Sequence, residues 1–251
     1  MKCNPFEMRS MPMKRIIYIA CILIFVNALG VLNCPAQEAL VRSTFRTISL
    51  QDPIDDLALL TDGAVIDLDI PSHRRSKSVV YQGSPVMRFI EQGRTLPDSA
   101  SAFTATLEVS VAMHLENPLY VFYPKASGYE VFAVEDSVEQ LSGGSCMFVN
   151  LSDHPLILLL DAVEQERLEL APLESHIHGF APESLNVSLR IASRTDDGLY
   201  KGMNTRIFPV RTHRDIYFIY SLGPSHPGEV RLRLLREHEG AALRAYAAEL
   251  R

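Results

Sequence analysis

Tryptophan is absent from the 251 residues, and cysteine occurs only four times. Four cysteines in a chain of this length exclude a disulfide framework. Without tryptophan, a carbohydrate-stacking platform loses its usual residue. Basic residues number 24 against 30 acidic ones, a net charge of -6, which argues against a nucleic-acid surface. The sequence has no Gly-rich phosphate loop, no Cys-x-x-Cys pair, no dinucleotide fingerprint and no Gly-x-Ser-x-Gly elbow. Disorder is excluded as well, because 47% of residues are hydrophobic and only 22% charged, an ordinary globular balance.

The amino terminus reads as an address. Lys14 and Arg15 precede an apolar run from Ile16 to Leu32, broken only by Asn27 and Gly30. Cys34-Pro35-Ala36 then places small residues where signal peptidase reads, so residues 1–36 are expected to be a signal peptide cleaved after Ala36. Two alternatives use the same residues. Val31-Leu32-Asn33-Cys34 resembles a lipoprotein box that would acylate Cys34, and the apolar run has the length of a single membrane anchor. Removing residues 1–36 leaves 20 basic and 29 acidic residues and one cysteine, Cys146. An exported chain with no internal disulfide fits a bacterial envelope or periplasmic compartment.

The remaining chain reads as strands. Leu107, Val109 and Val111 continue an alternation begun at Phe103 and Ala105; Val187, Leu189 and Ile191 alternate with Ser188 and Arg190; Val230, Leu232 and Leu234 alternate with Arg231 and Arg233. Period-two alternation marks half-buried antiparallel strands. The runs Leu156–Leu160 and Ile216–Tyr220 are continuously apolar and suit strands covered on both faces. Asp62-Gly63, Gly143-Gly144, Asp196-Asp197-Gly198 and Pro224–Gly228 punctuate the runs with turn chemistry. The expected fold is therefore all-β: an antiparallel β-sandwich in two sandwich-like halves, 37–140 and 141–240, then a short helix over 241–251 with a Leu243, Tyr246, Ala247, Leu250 stripe. A single larger sandwich is the alternative, and no sequence repeat between the halves is evident.

Tyr81–Ile90 and Gly144–Ser152, with Leu170–Ser175 more loosely, resemble segments of uncharacterised exported bacterial β-rich proteins. That group has no assigned activity, so the resemblance implies a fold and a location and transfers no site. A second resemblance attaches to His176-Ile177-His178 with Glu183. On a strand, residues two apart share a face, so both imidazoles can turn to one ion. The spacing His-x-His-x4-Glu is similar to the first metal motif of the cupin family, a β-barrel, and would make His176, His178 and Glu183 ligands of Fe, Mn or Zn. The motif's opening glycine is replaced by Leu170, and no second motif supplies the last histidine. The competing reading is a pair of exposed histidines at a strand edge, with no cofactor.

Other candidates carry less. His73, Arg74, Arg75 and Lys77 form the densest local positive charge, a binding patch for anionic headgroups or an acidic envelope polymer, or simply a solvated loop. Asp67 and Asp69 share one strand face as a general acid/base pair would, yet their alternation with Ile66, Leu68 and Ile70 makes them the wet side of a strand. Cys146, beside Met147–Val149, reads as a buried thiol. Tyr120, Phe122 and Tyr123, and likewise Tyr217, Phe218 and Tyr220, read as core packing, or as one exposed patch at most. The resulting expectation is an exported envelope protein with a structural or interaction role and no evident catalytic set. Its partner would be another envelope protein or polymer, with membrane contact only through an uncleaved or lipidated N-terminus.

Overall fold

The computed structural model describes residues 40–62, 64–91, 106–125, 128–162, 164–181, 184–198, 200–223 and 225–249. Residues 1–39, which hold the expected signal peptide, lie outside them, as do Gly63, Phe103, Ala105, Glu183, Pro224 and Leu250. The first eight strands are β1 (Val41–Ser49), β2 (Leu57–Leu60), β3 (Val65–Asp67), β4 (Val79–Gly83), β5 (Val86–Glu91), β6 (Leu107–Ser110), β7 (Pro118–Lys125) and β8 (Gly128–Glu135). The second eight are β9 (Ser145–Leu151), β10 (Leu156–Asp161), β11 (Gln165–Leu170), β12 (Ser175–Gly179), β13 (Val187–Arg194), β14 (Tyr200–Ile207), β15 (His213–Ser221) and β16 (Val230–His238), followed by helix α1 (Glu239–Glu249).

These strands make four sheets of four, in the orders β4-β1-β7-β8, β3-β2-β5-β6, β12-β9-β15-β16 and β11-β10-β13-β14. Each half of the chain owns one inner and one outer sheet, and the two-half sandwich expected from the alternation is present. One feature of the pairing differs from expectation. β1 runs parallel to β7, and β9 runs parallel to β15, so the inner sheets are mixed rather than purely antiparallel.

The halves also repeat one another. Adding eight to each strand number of the first half reproduces the order and sense of every pairing in the second. Strand registers align Leu119-Tyr120-Val121-Phe122-Tyr123 with Ile216-Tyr217-Phe218-Ile219-Tyr220, a shared Tyr-x-x-Tyr, and Ile48-Ser49-Leu50 with Val149-Asn150-Leu151. The internal repeat that inspection of the sequence did not yield is thus a duplication of topology.

Three hydrophobic layers follow from the alternation of side chains. Tyr120 and Phe122 enter the first sandwich with Phe45, Met87 and Phe89, while Tyr217 and Ile219 enter the second with Phe148, Leu158 and Leu189. The opposite faces of the same strands meet at a seam between the halves. Ile48, Leu50, Leu119, Val121, Tyr123 and Val134 pack there against Val149, Leu151, Ile216, Phe218, Tyr220 and Leu235. Equivalent surfaces face each other, as in an isologous dimer joined into one chain. Residues 119–123 and 216–220 are accordingly buried on both faces. Both aromatic clusters are core, as their patterning implied.

Some details depart from the pattern. Leu156–Leu160 belongs to an outer sheet, so Ile157 and Leu159 are only half-buried, while Leu156, Leu158 and Leu160 point inward. On β16 the run Val230, Leu232, Leu234 does not stay inside. Leu234 is exposed, because β16 is the edge strand of its sheet and is not covered there, while Leu235 on the opposite face enters the seam. In α1, Leu243 is 49% exposed whereas Ala242 is buried, so the leucine lies off the docked face. Glu239 in the first turn accepts from Gly143 N (3.0 Å), tying the helix to the link between the halves.

A seam made of paired cores couples the halves. The expected result of scanning calorimetry is one unfolding transition whose calorimetric and van't Hoff enthalpies agree. Phe218→Ala should lower the stability of the whole molecule by about 3–5 kcal/mol. Two separated transitions, with only one displaced by the substitution, would contradict this coupling.

Candidate functional site

His176 and His178 do share a strand face. On the edge strand β12 they pair with Phe148 and Cys146, which line the second sandwich, so both rings lie at its open edge. His176 is exposed, and His178 is half-buried, with Nδ1 3.5 Å from Glu166 of β11 and its ring against Phe180. Burial lowers the His178 pKa; the Glu166 charge opposes this and His176 adds to it. Among the described residues, no three His, Cys, Asp or Glu side chains are placed to hold a metal ion. Glu183, the third ligand implied by the cupin motif, lies outside the described residues. The sheets are open sandwiches and not the barrel that this resemblance implies.

The basic cluster divides. His73, Arg74 and Lys77 are exposed, and Arg74 pairs with Asp69 at 3.4 Å. Arg75 is not part of the surface: it is 7% exposed and turns inward to Asp136. The reason is visible in the duplication. Ser49 N donates to Pro71 O and Asn150 N donates to Glu174 O at equivalent positions. Eight positions separate Pro71 from Val79, the partner of Phe45, whereas four separate Glu174 from His178, the partner of Cys146. The longer connection in the first half carries Arg75 to the end of the seam.

There it joins a buried ionic cluster that no sequence pattern signalled. Asp136 sits just beyond β8 and is fully buried. Arg75 binds it through two nitrogens, Nε to Oδ2 at 2.6 Å and Nη2 to Oδ1 at 2.7 Å. Arg46 reaches Oδ2 at 3.1 Å. Arg214, itself fully buried, reaches Oδ1 at 3.1 Å, and its Nη1 donates to the Asp136 carbonyl at 2.9 Å. Glu237, the counterpart of Asp136 in the second half, holds Arg214 at 2.7 Å and Arg75 at 3.3 Å. Burial alone would raise the Asp136 pKa, but Arg75, Arg214 and Arg46 together hold it below the usual carboxylate value. Every charge in the cluster has a partner, which is the condition for burying charge at all. The cluster clamps the two halves at the amino-terminal ends of β7 and β15.

The carboxyl-terminal ends of β1, β7, β9 and β15 converge at the other end of the seam on a cleft of about 540 Å³. This is within the usual size of a small-molecule site. Its floor is apolar, formed by Tyr123, Tyr220 and Leu151, which also belong to the seam core. Its mouth carries Gln51, Lys125, Asp153, His154 and His226. Lys125 of the first half and Asp153 of the second form an ion pair at 2.7 Å, which bridges the halves.

Local structure fixes these groups. Fully buried Asn150 donates to the carbonyls of His154, Leu170 and Ala171, at 2.9, 3.0 and 3.0 Å, and its Oδ1 accepts from Ser152. That set pins the β9–β10 turn and with it Asp153 and His154. His226 is carried on the β15–β16 hairpin, where Gly228 has φ +76° and faces the Thr195 methyl so closely that no side chain fits. Tyr123 donates to Glu130 at 2.6 Å, and burial followed by that contact pushes its hydroxyl pKa well up. The Tyr220 hydroxyl makes no hydrogen bond with the described residues. Tyr123 and Tyr220 are legible in the sequence only as core, since their second role depends on the two halves meeting.

The remaining expected groups stay apart from the cleft. Asp67 at the end of β3 and Asp69 just beyond it are exposed, with Leu68 buried between them and Ile70 buried after them. Cys146 is 2% exposed, and burial, reinforced by the Asp215 charge, pushes its thiol pKa well up. No protein-family model and no curated protein matches the chain, so its chemistry rests on its own residues. What the fold and the cleft define is a class: a duplicated β-sandwich protein with a ligand-sized cleft on its internal seam.

Two measurements test this description of the ends of the seam. Asp136→Asn leaves Arg75 and Arg214 facing Glu237 alone and takes from Arg46 its carboxylate, and should cost about 3–5 kcal/mol. Because the folded-state pKa of Asp136 is depressed, its contribution is complete above about pH 4 and is lost as pH falls through the lowered value. Denaturation curves taken between pH 7 and pH 2 should therefore show an acid loss that is smaller in the variant. Separately, Cys146 should resist a thiol reagent in the native protein and react fully in denaturant; rapid native labelling would contradict its burial.

Proposed function

We propose that this chain is an exported bacterial envelope protein with a binding role, and that its ligand enters the seam cleft. The observation that carries the reading is the convergence of four strand ends from both halves on one cleft with an apolar floor and a polar mouth. Convergent polar groups over an apolar pocket are the usual form of a small-ligand site. The two aromatic floor residues come from equivalent strands, so the cleft exists only because the halves are joined. Export is supported by the order of Lys14-Arg15, the apolar run and Cys34-Pro35-Ala36, and by the single cysteine that remains beyond it.

The core is built from three apolar layers, one in each half and one between them. Its three layers are continuous, and the charges at the far end of the seam are mutually paired. A rigid frame of this kind holds a site without reorganising, which reduces the cost of binding.

The full-length chain, expressed in an export-competent bacterium, should be recovered from the periplasm with Gln37 as its first residue. Recovery with residues 1–36 retained, or with Cys34 acylated, would replace the cleaved-signal reading by an anchored one. For the cleft, a fragment library screened by NMR on that protein should perturb the backbone signals of Leu151, His154 and Leu222 together. Hits confined to other surfaces, or none, would remove the binding role assigned to the seam.

A further inference from the structure

We propose that the cleft takes a neutral saccharide of one or two sugar units; the proposal rests on the seam cleft being the ligand site. The charges at the mouth carry the first part of the argument. The Lys125 ammonium lies 2.7 Å from Asp153 and 3.9 Å from Glu130, two carboxylates on one cation. Of the lining residues Lys125 and Asp153 form a balanced pair, so an anionic ligand would have to draw Lys125 from Asp153 and a cationic one would have to draw Asp153 from Lys125. An uncharged ligand leaves the pair intact.

The hydrogen-bonding groups carry the second part. Gln51 and the two imidazoles of His154 and His226 each offer both a donor and an acceptor, and Asp153 offers acceptors. An apolar ligand would strip water from all of these and return nothing, at a cost for each group. A polyhydroxylated ring answers every one, because each hydroxyl both donates and accepts.

The floor completes the match. Tyr123 and Tyr220 are only 4% and 7% exposed, so the cleft meets a small part of each ring beside Leu151. Such a floor suits the C–H face of one sugar and not a broad stacking platform, which the absence of tryptophan also disfavours. Tyr123 has committed its hydroxyl to Glu130. The Tyr220 hydroxyl makes no hydrogen bond with the described residues and is not among their buried unpartnered atoms, so it opens on solvent at the cleft. A sugar hydroxyl would supply that bond.

The test uses protein purified from the full-length chain, with calorimetric titration of methyl glucoside, maltose, cellobiose and N,N′-diacetylchitobiose. Glucuronate serves as the charged control and cyclohexanol as the apolar one. At least one neutral sugar should bind, and Tyr220→Phe and Asp153→Ala should each weaken it about tenfold, as expected for loss of a hydrogen bond to a buried or charged group. Tyr220→Phe keeps the ring and its packing, so its effect is read in a folded protein. Retention on an insoluble neutral glucan, reversed by the free disaccharide, would assign the sugar to a polymer; binding of the free sugar without retention would assign a soluble source. Preference for glucuronate or cyclohexanol, or sugar affinity unchanged in both variants, would overturn the proposal. If fragments occupy the cleft and no sugar does, the saccharide assignment fails and the site stands; if neither binds, both fail.

Discussion

The molecule depends on one packing constraint: the inner sheet of each half must be covered on both faces. Leu119, Val121 and Tyr123 need a partner layer as much as Tyr120 and Phe122 do, and only the other half supplies it. An isolated half would expose the whole seam face, a contiguous apolar patch far beyond what stray surface leucines represent. The halves are thus sandwiches by topology and a single body by energetics. The seam also sets where functional groups can gather, because its two ends are the places where side chains of both halves meet.

Those ends are chemically opposite. One is closed by charge: three arginines converge on Asp136 and Glu237, and each ion is satisfied by geometry that only the assembled halves provide. Buried ionic clusters add little net stability compared with apolar packing of the same volume, but they tolerate few alternatives. The consequence is register. A slip of one half against the other would leave arginines without partners, so the cluster selects a single alignment of the seam. The opposite end stays open because its strands finish in turns, at Gln51, at Asp153-His154 and at the hairpin carrying His226, and turns do not close a layer. The charged end holds the alignment that shapes the open one.

Much of the architecture is legible in residue patterning, and the limits of that legibility have physical reasons. Val187, Leu189 and Ile191 alternate cleanly because β13 faces solvent on one side. Ile216–Tyr220 is continuous because β15 never does. The run Leu156–Leu160 looks the same as Ile216–Tyr220 in sequence and yet lies in an outer sheet, since an apolar side chain is tolerated on a wet face and leaves no mark of exposure. The parallel pairing of β1 with β7 is silent in local pattern, because it depends on which distant strands meet and not on either alone. For the site, His176 and His178 were legible as a same-face pair because strand geometry is local. The cleft was not, because Tyr123, Lys125, Asp153 and Tyr220 come together only across the seam.

The repeated topology shows where the two halves keep the same character and where they differ. Seam and core positions retain their character, Tyr120 with Tyr217 and Val134 with Leu235, because both halves face the same packing demand. Positions at the seam ends are released from that symmetry, since one ionic cluster and one cleft serve both halves at once. Asp136 and Glu237 remain acidic counterparts, but the arginines that answer them are drawn asymmetrically, and Arg75 arrives on a connection that the second half does not lengthen. At the cleft, Tyr123 and Tyr220 keep the same ring in the same layer and differ in their hydroxyls: one is bound to Glu130, and the other has no partner among the described residues. Equivalent strands thus place two tyrosines in the cleft floor, one with its hydroxyl committed to Glu130 and one without such a partner. Because the shared ring is required by packing, the difference had to arise in the neighbours, at Glu130 on β8 and Arg231 at the corresponding place on β16.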